Sequence, residues 1–238
     1  MPKPEKFSTY LKTRAKRIKD PRNGKRTRLF FMASAARLLE KKTMFELSVA
    51  EIRKPMNTSH GTFYIYFKDK YDLVNQLLTE YIEFELASMP QMGSNADLFD
   101  FSLAINSWYA ECFRLNTGIM RCFFQLNNAR PDMAELWAQR SRKIVSRIME
   151  FYTQKFELSH KEIDVFRHTL HIQGSALDQI LSGTYGATAH SVLSSKEDLA
   201  ETLDLYGVMM HRAMFCKNPS TKKLSKSKIL IQTKFKKR

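Results

Sequence analysis

Residues 48–67 constrain the fold most, because they leave room for only two short helices joined by a tight turn. Ser48 and Glu51 have the spacing of a capping box, in which the two side chains satisfy the free N–H groups that begin a helix. Pro55 follows seven residues after Ser48 and disfavours helical backbone in the residue before it. Thr58 or Ser59 can then cap the second short helix, which we expect to end near residue 67.

The rest of the chain predicts long helices. Only 8 glycines and 7 prolines occur in 238 residues, a scarcity that argues against a strand-and-turn-rich fold, and no segment has a convincing strand pattern. We therefore expect an all-α fold of about nine helices. Besides the two short ones, they cover about 25–41, 69–88, 97–115, 118–128, 131–156, 160–182 and 195–216.

The positive charge lies at the two ends of the chain. The formal net charge is +15, with eleven Lys or Arg against two acids in residues 1–30 and nine against none in residues 217–238. Basic ends attract polyanions such as nucleic acid or anionic membranes, although solvated disorder is the alternative at both ends. We define residues 1–24 as a basic N-terminal arm and residues 217–238 as a basic C-terminal tail.

Segment 47–70 resembles the DNA-binding signature of the tetracycline-repressor (TetR) family of regulators. The matching positions are Val49, Ile52, Ser59, Gly61, Thr62, Phe63, Tyr64, Tyr66, Phe67 and Lys70. The chain departs from the family pattern at Arg53 and at the turn 56–58, Met-Asn-Thr, where the family has Ala-Gly-Val. Asn57 is a fair replacement for glycine, because asparagine tolerates a left-handed backbone better than most residues.

The resemblance implies a domain order. We expect the basic arm 1–24, a three-helix helix-turn-helix DNA-binding domain over 25–70, a helical ligand-binding and dimerisation domain over 71–216, and the basic tail 217–238. The last two helices of such a protein are expected to pair with those of a second subunit.

The resemblance also implies which residues meet DNA. In a helix-turn-helix the second short helix lies in the major groove and the first crosses the backbone. Ser48 and Ser59 begin helices and suit phosphate contacts, Gly61 permits close approach, and the family positions of Tyr66 and Lys70 typically touch the backbone. The full expected set is Ser48, Thr58, Ser59, His60, Gly61, Thr62, Tyr64, Tyr66 and Lys70, with His60, Thr62 and Tyr64 as candidates for base edges. The arm can add contacts in the minor groove.

Residues 99–156 are rich in aromatic residues and methionine. Such side chains suit an adaptable apolar pocket, although most of them also suit an ordinary core. The expected ligand-binding residues are Trp108, Phe123, Gln125, Trp137, Tyr152, His171 and Asp178. A lipid-like, aromatic or acyl ligand, apolar or amphiphilic, fits this composition.

We expect the chain to be a sequence-specific transcriptional regulator. The expected form is a repressor that binds a palindromic operator as a homodimer and is released by a small ligand. Two alternatives stay open: a sequence-neutral basic DNA-binding protein, and a regulator controlled by a partner protein.

No enzyme motif, cofactor or metal site is expected, since His168 and His171 have no further ligand at suitable spacing. No run is long and apolar enough for a membrane span. Three cysteines without a paired spacing fit a reducing, cytoplasmic setting.

Overall fold

The structure, a computed structural model, describes residues 3–20, 22–91, 93, 95–185, 196–217 and 219–220, without the side chains of 128, 132 and 196–198. The described part contains helices and no strand, which confirms the all-α prediction. The helices are α1 (Phe7–Arg17), α2 (Gly24–Leu39), α3 (Val49–Arg53), α4 (His60–Tyr66), α5 (Lys70–Ala87), α6 (Leu98–Leu115), α7 (Thr117–Ala129), α8 (Pro131–Lys155), α9 (His160–Tyr185) and α10 (Lys196–Phe215), with a 3₁₀ turn at Lys54–Met56. The basic tail expected over 217–238 lies outside the described residues, apart from 217 and 219–220.

The chain divides into two compact units. The first comprises residues 1–88 and 111–140, and the second comprises 89–110 and 141–238. This division differs from the boundary that the sequence predicted after residue 70. The reason is that α5 and α7 pack against α2, and the first part of α8 contacts α5 and α7, so this unit is larger than three helices.

The segment expected as a basic arm contains a folded helix. Phe7, Leu11 and Ala15, spaced four residues apart, are buried, and α1 packs along α2. The Phe7 backbone N–H donates to Asn116 Oδ1 at 2.7 Å, and Asn116 Nδ2 donates to the Glu5 carbonyl at 3.1 Å. The expectation of an arm over 1–24 is therefore corrected, because three apolar residues at helical spacing suffice to dock a helix whose other residues are mostly basic and polar.

Helix α7 is held closely against the end of α2. A Cβ on Gly118 would lie 2.4 Å from the Leu39 carbonyl oxygen, so the backbones meet at a distance that only glycine permits. The Arg121 guanidinium donates through Nη2 to the Leu39 carbonyl at 2.5 Å and to the Lys42 carbonyl at 2.9 Å. Arg121 thereby satisfies carbonyls that the end of a helix leaves without partners.

An ion pair lies in the core of the first unit. Glu85 of α5 and Arg140 of α8 are each only 1% exposed, and their bidentate contacts measure 2.7 Å and 2.6 Å. The Arg140 guanidinium lies 5.1 Å from the Trp137 ring centre, and the Tyr81 hydroxyl donates to Glu85 at 3.4 Å. Both charges are thus paired and enclosed by aromatic rings.

The second unit has an aromatic core built by α6, α8, α9 and α10. The rings of Phe101 and Phe151 stack with centres 3.7 Å apart, and the Tyr206 hydroxyl donates to the Gln173 carbonyl. Helix α9 begins with a capping box, since the Ser159 N–H donates to the Glu162 carboxylate at 2.8 Å and the Glu162 N–H donates to the Ser159 hydroxyl at 3.4 Å.

We expect Arg140→Met to lower the free energy of unfolding by about 3–5 kcal/mol, because it leaves the Glu85 carboxylate buried without its partner. The double substitution Arg140→Met with Glu85→Leu removes both charges and should recover most of that loss. Urea denaturation followed by circular dichroism measures both. A double variant as unstable as the single one would contradict the interpretation.

Candidate nucleic-acid interface

Helix α3 begins where the sequence predicts. Ser48 Oγ accepts from the Glu51 N–H at 3.3 Å and donates to the Glu51 carboxylate at 2.8 Å. The same carboxylate pairs with the Lys42 ammonium. The hydrogen bond from Lys42 has the largest effect and that from Ser48 the next largest, and both lower the pKa of Glu51. The carboxylate is therefore ionised at neutral pH and joins α3 to the segment that follows α2.

The turn between α3 and α4 is fixed by two features of the sequence. Asn57 has φ 49° and ψ 40°, which confirms the predicted left-handed conformation. Arg53, whose role the sequence left open, donates through Nη1 to the Thr58 carbonyl at 2.7 Å. The Arg53 guanidinium thus closes the turn, and the Thr58 side chain remains half-buried with its hydroxyl unpaired.

Helix α4 has one face inside the domain and one outside. Phe63 is fully buried against Phe31 with ring centres 5.5 Å apart, and Phe67, just after the helix, is 1% exposed. Ser59 begins the helix by accepting from the Thr62 N–H at 3.3 Å, and the Ser59 and Thr62 hydroxyls lie 2.9 Å apart. Thr62 is therefore engaged at the helix start.

The exposed face of α4 consists of His60, Gly61, Tyr64 and Ile65. Tyr64 is 48% exposed and Ile65 75% exposed, and the rings of His60 and Tyr64 meet edge to face at 5.1 Å. A Cβ on Gly61 would meet only the Ser59 hydroxyl, at 3.9 Å. No atom of the described chain lies close enough to require glycine at position 61. This is expected if a bound partner occupies the space next to Gly61.

Ile65 was missed by the sequence analysis. An isoleucine on a short helix looks like a core residue, but Ile65 lies four positions after the exposed Gly61, which puts it on the same side of the helix. The face therefore offers an aromatic ring, an imidazole and an aliphatic group together.

Tyr66 lies beside the first turn of α2. A Cβ on Gly24 would come within 3.2 Å of Tyr66 Cε1, so the tyrosine ring is close to the helix N-terminus capped by Asn23. A helix N-terminus favours anions because its N–H groups are free. The placement suits the backbone role that the resemblance gives Tyr66.

Lys70 has a clear structural role. Its ammonium donates to the carbonyls of Met44, Phe45 and Leu47 at 3.4, 3.0 and 2.9 Å. An ammonium has three donors, so all three are engaged with the loop before α3. The DNA-backbone contact implied by the resemblance would require Lys70 to give up one of these carbonyls.

The seven expected ligand residues are distributed over both units. Phe123 and Trp137 belong to the first unit, where their ring centres lie 5.7 Å apart. Gln125, also in the first unit, accepts the Met44 backbone N–H at 3.2 Å and so has a structural partner.

Trp108, Tyr152, His171 and Asp178 belong to the second unit. The Tyr109 hydroxyl donates to the half-buried Asp178 carboxylate. Burial raises the pKa of Tyr152, which is hydrogen-bonded to Ser102. His171 is half-buried and Trp108 is buried.

In the described part of the chain, no three His, Cys, Asp or Glu side chains are grouped closely enough to hold a metal ion. Cys112 and Cys122 are buried free thiols, and burial raises the pKa of Cys122 to about 12. None of the described helices is long and apolar enough to cross a membrane.

The arrangement of α2, α3 and α4 defines a helix-turn-helix DNA-binding protein. A sequence model described as "Bacterial regulatory proteins, tetR family" matches residues 31–77. Residues 31–77 are therefore similar to the DNA-binding domain of this family, which supports a DNA-binding transcription regulator. No curated protein matches the chain in sequence.

Proposed function

We propose that the chain is a sequence-specific repressor that binds a palindromic operator as a homodimer and is released by a small apolar or amphiphilic effector. The observation that carries the proposal is the exposed face of α4, His60, Gly61, Tyr64 and Ile65, on an otherwise well-packed helix. Its place of action is the cytoplasm, where a bacterial chromosome lies.

The candidate DNA contacts divide into those that position the protein on the duplex and those that recognise its sequence. Phosphate contacts set the register of a regulator on the duplex, and contacts to base edges set its sequence preference. His60 and Tyr64 carry polar groups for base edges, and Ile65 suits the methyl group of thymine. Ser48, Ser59 and Tyr66, at or beside helix starts, suit phosphates.

We expect Tyr64→Ala and Ile65→Ala to weaken operator binding by about tenfold to a hundredfold each, since a base contact contributes about 1–3 kcal/mol. Binding to a scrambled duplex should hardly change. The operator is first obtained by selection from random DNA, and affinities are then measured by fluorescence anisotropy across a salt series.

Arg147→Gln is the control, because Arg147 is exposed, pairs only weakly with Glu150 at 3.3 Å and lies in the second unit. A selection that yields no common sequence would contradict the proposal and favour the sequence-neutral alternative.

A stripe on the surface of α9 supports the homodimer. Val165 and Ile172, seven residues apart, are 56% and 71% exposed, and the small residues Gly174, Ser175 and Ala176 are exposed beside them. On α10, Met209 is 62% exposed. Apolar residues exposed at helical spacing are typical of a helix-on-helix interface, and a two-fold axis through such a patch makes it self-complementary.

We expect Ile172→Glu to shift the chain from dimer to monomer in sedimentation equilibrium, because a buried unpaired carboxylate at an interface is costly. Arg167→Glu is the control, since it changes charge at an exposed site of α9 off the stripe. Wild-type protein that sediments as a monomer at micromolar concentration would contradict the dimer.

Buried polar atoms in the second unit support an effector site. Asn106 Nδ2, Gln173 Oε1 and His211 Nδ1 are buried and have no hydrogen-bond partner among the described residues, and burial lowers the pKa of His211. A ligand with an apolar body and a polar group would give such atoms a partner. Coupling to DNA binding of about 1–3 kcal/mol corresponds to about 5- to 150-fold in operator affinity.

We expect a fatty acid, an acyl thioester or an aromatic compound to raise the melting temperature and to weaken operator binding within this range. Thermal unfolding and anisotropy measure the two effects on the same samples. If none of the three classes stabilises the protein, the small-molecule effector is contradicted and the regulator controlled by a partner protein is favoured.

A further inference from the structure

We propose that the first unit has an anion site of its own: a groove between α1, α2 and the turn of the helix-turn-helix that binds a small molecule with a phosphate or carboxylate group and an apolar part. The groove has a volume of about 550 Å³, within the range of small-molecule sites. It goes beyond the proposed function, whose effector site lies in the second unit. Throughout, we call it the α1–α2 groove.

The charge of the α1–α2 groove is entirely positive. Lys12 from α1 and Arg26 and Arg37 from α2 line it, and no carboxylate does. None of the three cations takes part in an ion pair within the described chain. Arginine and lysine that converge without acids favour phosphate or carboxylate ligands.

The wall of the groove holds polar atoms without partners. Ser34 is only 7% exposed, and its hydroxyl has no hydrogen-bond partner in the described chain. Thr58 Oγ1 and Arg26 Nε are buried and unpaired in the same lining. Buried polar groups nearly always have a partner, so three exceptions in the lining of one groove favour a ligand there, which the Ser34 and Thr58 hydroxyls would reach by rotating toward it.

The remaining surface is apolar. The Arg26 guanidinium lies 5.5 Å from the Phe30 ring centre, and Pro55 and Met56 line the side formed by the turn. A ligand with one anionic group and one planar or aliphatic part therefore matches the groove better than a bare inorganic ion.

The position of the groove links it to DNA binding. Thr58 lines the groove, its carbonyl is held by Arg53, and the next residue, Ser59, begins α4. A ligand in the groove thus contacts the turn from which the exposed face of α4 is oriented.

A phosphate of the DNA backbone offers similar chemistry. We favour the small molecule because the polar atoms without partners in the described chain are buried in the groove wall, beneath the surface that a duplex would contact.

The test is titration calorimetry of the full chain at low salt, with no DNA present. The probe is phenyl phosphate. Its two halves, inorganic phosphate and phenol, are titrated separately. We expect phenyl phosphate to bind more tightly than either half. Arg37→Gln and Ser34→Ala should weaken it by about tenfold or more in total, as charged and neutral hydrogen bonds are lost. Arg147→Gln, which removes the same charge in the second unit, should leave it unchanged.

Three results would overturn the proposal. The first is no binding of phenyl phosphate at millimolar concentration, and the second is equal weakening by Arg147→Gln. The third is that Arg37→Gln leaves phenyl phosphate binding unchanged but lowers the salt slope on duplex DNA by about one, which would assign the groove to a backbone phosphate. Circular dichroism verifies that each variant is folded, and because the calorimetry contains no DNA, the binding of phenyl phosphate is independent of whether the repressor proposal holds.

Discussion

The buried ion pair between Glu85 and Arg140 is the interaction on which the first unit depends. Removing two charges from water costs so much that such a pair persists only with good geometry and further partners, and here the geometry is bidentate and both side chains are 1% exposed. Since Glu85 lies near the end of α5, whose first turn follows α4, the pair holds the far end of the helix that follows the exposed face of α4. The helix-turn-helix is therefore anchored through α5 to α8.

Several cations of this basic protein hold the protein's own carbonyls. Arg53 binds the Thr58 carbonyl, Lys70 binds three carbonyls of the loop before α3, and Arg121 binds the carbonyls at the end of α2. Each satisfies backbone groups that a turn or helix end leaves without partners. The positive charge of the domain is thus divided between structure and binding, and counting Lys and Arg in the sequence overstates the part that faces DNA.

Local features could be predicted from the sequence, and long-range ones could not. Asn57 and the start of α9 depend on neighbours within a few residues, so the pattern of side chains sufficed. Glu85 and Arg140 are separated by 55 residues. The one indication of burial in the sequence is the position of Glu85 on the apolar face of α5, four residues after Tyr81. Helix α1 was missed because its charges dominate its composition, although Phe7, Leu11 and Ala15 carry the helical spacing. For the exposed face of α4, the family signature predicted His60, Gly61 and Tyr64, while Ile65 required the observed exposure.

Helix α1 combines packing and charge in a way that a disordered arm cannot. One face buries Phe7, Leu11 and Ala15, and Lys12, Lys16 and Arg17 remain exposed. A folded helix fixes the backbone that carries these charges, so a contact between them and nucleic acid would cost no backbone ordering entropy at the moment of association. Because the same helix closes one side of the α1–α2 groove, deleting it would remove charge, packing and groove together. Only substitutions of single exposed lysines separate the electrostatic role of α1 from its structural one.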